Sequence, residues 1–265
     1  MNVNYIITSP PSAEPISLTE AKLHLRVTDT TDNNLITSLI QVAREYCEGF
    51  QNRTYVATGF GLKLDDWADV IDIPRPPMWG VSSITYIDTG GDSQTLASTV
   101  YTFDKVSEPA RLYLDYAQNW PTFRGLRNAI TINFTAGYAA PFTANLTTNV
   151  CTALGRTYAD GDIVRLWNYD GALPAGLATA TDYYVISASG STFKLSATSG
   201  GLEIDITDAG TGTHFAGLIP EKVKAAMKLL IGHLYEHREA ASEVNLAIVP
   251  MAIKDLLWQD RLMGF

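Results

Sequence analysis

Apolar residues recur at helical spacing between Leu35 and Phe50. The series is Leu35, Ile36, Leu39, Ile40, Ala43, Tyr46, Cys47 and Phe50, with Gln41, Arg44, Glu45 and Glu48 mostly on the opposite side. Such a stripe predicts an amphipathic helix of about four turns, and Asp32 stands where it would cap it. A shorter helix is predicted ahead of it. Ser17 with Glu20 three positions on forms a capping box, followed by Ala21, Leu23, Leu25 and Val27, and Thr28 to Thr31 make a polar turn. Beyond Thr54 the period becomes that of strands. Tyr55 to Leu64 is rich in Gly, Thr and aromatic residues, and Val70 to Ile73 is stopped by Pro74, Pro76 and Pro77. Val81, Ile84, Tyr86 and Ile87 precede the Gly90-Gly91 turn, then come Val100 to Phe103 and Arg111 to Leu114. Ile130, Ile132 and Phe134 alternate with Thr131, Asn133 and Thr135. The pattern predicts a β-meander with one buried face.

Near Pro141 the pattern shifts. The 78 residues from 141 to 218 hold 12 Thr and 10 Gly but only 10 charged residues. Short apolar runs at Ile163 to Trp167, Tyr183 to Ser187, Thr192 to Ser196 and Leu202 to Thr207 are separated by Gly-containing turns, and no helical period appears. This predicts a small all-β module. Helix returns at Pro220, a favourable first-turn residue. Val223, Met227, Leu230 and Leu234 form its stripe, widened by Ala226, Leu229 and Ile231. A helix so apolar lies in a core or also faces another subunit, and Leu229, Ile231 and Tyr235 are the candidates for that contact. A last helix is expected from Pro250 through Ile253, Leu256 and Leu257. The fold class is therefore α+β. An N-terminal helical pair, a β-meander and C-terminal helices (1–140 plus 219–265) form one domain, interrupted by an all-β inserted domain (141–218) at a junction where a guest with close ends is tolerated.

Composition narrows the function. Hydrophobic residues make up 46% and charged residues 18%, a globular balance, and the net charge is −9. Phosphate backbones are gripped by Lys and Arg clusters. The densest basic group, Lys222, Lys224 and Lys228, is balanced by nearby acids, so nucleic acid is expected to pass this protein rather than be held by it. Residues 1–11 have no signal-peptide pattern, and no apolar run approaches the roughly 20 residues that cross a bilayer. The expectation is folding in the cytoplasm, with no membrane association. Cys47 and Cys151 have no cysteine neighbour and read as buried apolar groups.

Chemistry is sparse. His233, Glu236 and His237 fit the H-x-x-E-H spacing of inverted zinc proteases, but a third ligand is wanting, and the polar end of a helix accounts for the same residues. Asp65, Asp66, Asp69 and Asp72 lack calcium-loop spacing. No nucleophile elbow, P-loop or dinucleotide fingerprint occurs, so no cofactor and no catalytic residue are expected. The C-terminus is more informative. Leu257, Trp258, Leu262, Met263 and Phe265 stand near a chain end, where polar residues are usual, and suggest a partner surface. Burying each contributes about 1.5–3 kcal/mol, and many tails on one ring add avidity. The alternative is that the tail folds back on its own core.

These residues carry a resemblance. Pro15-Ile16-Ser17-Leu18-Thr19-Glu20-Ala21-Lys22, then Leu35-Ile36 and the helix ending Ala43-Arg44-Glu45-Tyr46-Cys47-Glu48, resemble the start of head–tail connector (adaptor) proteins of long-tailed bacteriophages. Phe134-Thr135-Ala136-Gly137-Tyr138, Ile219-Pro220-Glu221-Lys222-Val223-Lys224-Ala225-Ala226 and Leu234-Tyr235-Glu236-His237-Arg238-Glu239 continue it. The resemblance implies a non-enzymatic virion protein forming a ring, typically of twelve copies, beneath the portal protein. The ring would extend the DNA channel and receive the next head-completion or tail protein, with its C-terminal segment on the portal. The family usually joins the Ala-Gly-Tyr strand to the Pro-started helix by a short loop, where this chain has its Thr- and Gly-rich module. Two other readings stand beside it. One is a tail or receptor-binding accessory whose module stacks Trp167, Tyr169, Tyr183 and Tyr184 on a glycan. The other is a zinc hydrolase.

Overall fold

The computed structural model describes residues 4–237 and 251–263. Strand β1 (Asn4–Ser9) precedes helices α1 (Leu18–Leu25) and α2 (Asn33–Gln51). Strands β2 (Thr58–Leu64), β3 (Val70–Ile73), β4 (Met78–Ile87), β5 (Ser93–Thr95), β6 (Tyr101–Asp104), β7 (Ala110–Leu114) and β8 (Ile130–Ala136) follow. Then come β9 (Ala140–Ala144), β10 (Cys151–Thr152), β11 (Ile163–Tyr169), β12 (Asp182–Ser189), β13 (Thr192–Ser196) and β14 (Thr213–Ala216). Helices α3 (Glu221–Glu236) and α4 (Met251–Trp258) close the chain. The class is α+β, with helices at both ends of the sequence around the strands.

The capping box forms at α1. The Glu20 N–H donates to Ser17 Oγ at 3.1 Å, and the Ser17 N–H donates to Glu20 Oε2 at 3.2 Å. At α2 the expected cap does not form. The Asp32 side chain makes no capping bond and instead accepts the Tyr235 hydroxyl at 2.5 Å, joining α2 to α3. Helix α2 buries Ile36, Ile40, Ala43 and Cys47. Arg44 and Glu48 are not on a solvated face. Arg44 Nε donates to Glu14 Oε2 at 2.7 Å and Nη1 donates to Glu48 Oε2 at 3.0 Å, with 9% of the Arg44 side chain exposed. Burial raises the Glu48 pKa, opposed by Arg44 and by the Tyr55 N–H. A charge taken this far from water needs its partner.

The strands do not follow one another as a simple meander. One sheet has the order β1-β2-β8-β4-β5 and a second β3-β7-β6, all neighbours antiparallel. Strand β8 buries Ile130, Ile132, Phe134 and Ala136 and takes the central place between β2 and β4. Alternation identifies the buried face of a strand but not which strands flank it.

Strands β9 to β14 close into a six-stranded barrel of order β10-β13-β12-β11-β14-β9. Leu202 to Thr207 is not a strand in it. Glu203 makes one isolated bridge to Ser196, and Leu202 is exposed. The barrel's own core holds Phe142, Cys151, Val164, Leu166, Val185, Phe193 and Leu195. Its boundary with the remainder is a packed seam. Phe215 of β14 is fully buried within the helical core, stacked on Trp167 at 4.2 Å and 10°. In the other direction Trp79 of β4 is buried in the barrel core, its indole N–H donating to the Gly137 carbonyl at 2.6 Å. Gly137 has φ +144, and a Cβ there would lie 2.8 Å from the Ala57 nitrogen. Only glycine permits this conformation and this approach.

Candidate functional site

The C-terminal segment is built onto the far end of α2. That helix ends in Asn52, whose left-handed conformation (φ 55) turns the chain back across the helix end. Three consecutive residues there meet the tail. Gln51 is fully buried, and its Nε2 donates to the Leu257 carbonyl at 2.8 Å, while its own carbonyl accepts the Leu262 N–H at 2.9 Å. Asn52 Nδ2 donates to the Leu262 carbonyl at 3.0 Å, and Arg53 Nε donates to the Asp260 carbonyl at 2.5 Å. The Asp260 carboxylate lies 2.6 Å from Lys222 Nζ on α3. Orphan polar groups at a helix end are thus satisfied by the tail.

This clip decides which tail side chains are available. Leu257 does not face solvent. It is fully buried with Ile253 among the helices, because α4 packs its apolar stripe on α2 and α3. Leu262 is half-buried and held through its backbone. Trp258 is 55% and Met263 67% exposed. Phe265 lies outside the described residues, as do Pro250, Arg238, Glu239 and Glu243. Of the inter-subunit candidates, Ile231 is fully buried in the helical core, and Tyr235 is half-buried and bonded to Asp32. Leu229 is 41% exposed.

Around Trp258 the structure assembles residues that sequence reading had assigned to the core or passed over. The Phe50 and Trp258 ring centroids are 6.4 Å apart, and Tyr46 stacks on Phe50 at 6.4 Å and 15°. The Arg261 guanidinium lies 4.8 Å from the Phe50 centroid and 5.4 Å from that of Trp258. The signal for Tyr46 and Phe50 was their spacing with Val42, four residues apart in each step, to one side of the Ile36, Ile40, Cys47 stripe.

The catalytic-looking strings do not assemble. His233 and His237 face each other at 4.8 Å at the end of α3, and among the described residues no three His, Cys, Asp or Glu side chains are placed to hold a metal ion. The acidic stretch is a structural loop. Asp65 accepts the Asn128 N–H, and Trp67 stacks on Trp120 at 4.5 Å and 3°. The two indole N–H groups donate to the Pro121 and Ala68 carbonyls, respectively. Of the four aromatics considered for a sugar, Trp167 and Tyr169 pack against the helical core and Tyr183 inside the barrel, and Tyr184 is half-buried, so they do not form a shared exposed platform. A cavity of about 600 Å³ opens on the barrel beside Phe142, Thr143, Leu154, Thr213 and His214. Both His214 nitrogens are already used, Nε2 donating to the Ala209 carbonyl and Nδ1 accepting from Asn168. Burial pushes both thiols, Cys47 and Cys151, up to about 12, so neither is a nucleophile.

Comparison with known proteins bears on the N-terminal segment and on the fold as a whole. Residues 15–78, which carry α1, α2 and the Asn52 turn, match the family of phage gp6-like head-tail connector proteins. No curated protein matches the chain in sequence. Solved structures match its fold over 100% of this chain and 97% of theirs. One is from the neck of an empty gene transfer agent particle computed with C6 symmetry, at 17% identity and a TM-score of 0.57. Another is from the virion of the native particle, at 18% and 0.56. A third is from the neck of the native particle computed with C12 symmetry, at 17% and 0.53. Residues 15–78 are thus similar in sequence to head-tail connector proteins, and the chain as a whole shares the fold of these particle proteins.

Proposed function

We propose that copies of this chain form a ring in the neck of a tailed particle, beneath the portal protein, and join the DNA-filled head to the tail. The observation that carries this reading is the match of one continuous fold, over the whole chain, to proteins from particle necks computed with six- and twelve-fold symmetry. A ring of twelve copies suits that likeness. The acidic net charge of −9 suits a channel through which DNA slides without being held. Trp258 and Met263, flanked by Leu262, face the portal or the next head-completion protein. Leu229 faces a neighbouring copy, and Leu257, Ile231 and Tyr235 support these surfaces from within. The barrel, 141–218, is a guest module on the outer rim, fused to its host by the Phe215 and Trp79 contacts. Assembly takes place in the host cytoplasm. No described helix is long and apolar enough to cross a membrane.

Deleting the gene from a producing strain tests this reading. Heads and tails are expected to accumulate separately and to join when the protein is supplied. Complete, infectious particles without it would overturn the proposal.

A further inference from the structure

We infer that α2 and the C-terminal segment together form a docking platform that receives a carboxylate side chain, flanked by apolar residues, from the portal protein. The inference rests on the connector reading and gives its partner surface a chemistry.

Val42, Tyr46 and Phe50 follow one another four residues apart along α2, and Phe50 carries the line on to Trp258 in the tail, where Met263 is also exposed. Val42 is 47% exposed, and Tyr46 and Phe50 are half-buried. The buried stripe of α2, Ile36, Ile40, Ala43 and Cys47, serves the core; Tyr46 and Phe50 pack against that core by one side, and Val42, Trp258 and Met263 leave apolar surface exposed beside them. Its composition is that of binding hot spots, which favour Trp, Tyr and Arg.

The Arg261 guanidinium lies within cation–π distance of both the Phe50 and Trp258 rings, and its Nε is buried with no hydrogen-bond partner among the described residues. Among the described residues no carboxylate reaches it. By contrast, Arg44 is paired with Glu14 and Glu48, and Arg53 with Glu108. The adjacent Asp260 is taken by Lys222. A guanidinium lying over two aromatic rings, with no counter-ion among the described residues, is preorganised for a planar carboxylate. A phosphate backbone fits less well. Beside Arg261 the platform has one further exposed cation, Lys254 on α4, and exposed Glu45 and Asp255 on the two helices that border it offset these charges, whereas a chain of phosphates needs several uncompensated cations.

The test measures binding of the full-length chain to the purified portal ring of the same particle by biolayer interferometry. The expected result is at least a tenfold loss of affinity for Arg261→Glu and for Trp258→Ala. Arg261→Lys should lose less, and Arg127→Glu, on an exposed loop before β8, should be unchanged. Thermal melts confirm that each variant folds. If Trp258→Ala weakens binding and Arg261→Glu does not, the carboxylate inference is wrong and the docking surface survives. If neither variant matters, the partner reading of this surface fails too. If the chain binds a 30-base-pair duplex and loses that binding in Arg261→Glu while keeping the portal, nucleic acid is the occupant and the inference is overturned.

Discussion

The side-chain amide of Gln51 donates to the carbonyl of Leu257 at 2.8 Å, across 206 positions of sequence. On its other side Gln51 Oε1 accepts the Tyr55 hydroxyl at 2.7 Å. One buried amide therefore joins the end of α2, the approach to β2 and the end of α4. Gln51→Leu would leave the Tyr55 hydroxyl and the Leu257 carbonyl buried and unpaired, at about 1–3 kcal/mol each. The expected outcome is a stability loss of about 2–5 kcal/mol in urea denaturation, with faster proteolysis within 251–263. Tyr55→Phe removes one bond and should cost about 1 kcal/mol.

Phe215 belongs to the barrel by sequence and to the helical core by packing. Truncating a fully buried aromatic costs about 3–5 kcal/mol. Phe215→Ala should therefore lower the temperature at which the helical circular-dichroism signal is lost. Were the barrel an independent guest, the helical transition would stay where it is. For the same reason, excising 141–218 should weaken the remainder, because it removes Phe215 and Trp167 and uncovers Trp79.

Gly137 follows the last residue of β8, in the turn that leads to the first barrel strand, β9. A methyl group there meets the backbone of Val56 and Ala57 at 2.8 Å in a conformation with φ +144. Overlap against backbone is not relieved by a rotamer change, so Gly137→Ala should abolish soluble expression or broaden the unfolding transition. Gly125, with φ +68 and open space around it, is the control. Gly125→Ala carries only the conformational penalty, about 1 kcal/mol.

The two thiols give a chemical test of the cores. With their pKa near 12 through burial, Cys47 and Cys151 should not react with Ellman's reagent at pH 8 in the native protein. Both should react in guanidinium. Rapid labelling of either one in native buffer would show that its core opens.

Much of the fold was legible because strong periodicity survives tertiary context. The α2 stripe, the Ser17 capping box and the alternation of β8 each formed where the residues place them. Sheet order was not legible, since β8 carries no mark of lying between β2 and β4. Strand β1 escaped notice because Ile6 and Ile7 are exposed on an edge and show no alternation of burial. At the site, sequence identified the apolar tail but not its division of roles. Leu257 and Trp258 are neighbours that helical geometry sends to opposite sides, one into the core and one to solvent. Arg44 and Arg53 look like ordinary surface cations until their carboxylates arrive from Glu14 and Glu108, far away in sequence. Arg261 looks the same until the fold brings the Phe50 and Trp258 rings beside it.

Electron cryo-microscopy of the particle's neck tests the connector assignment most directly. The expected result is a closed ring of this chain between portal and tail, with Trp258 and Met263 in contact with a partner and the barrel on the outer rim. Density for the chain at the tail tip, on the capsid lattice or nowhere in the mature particle would contradict it.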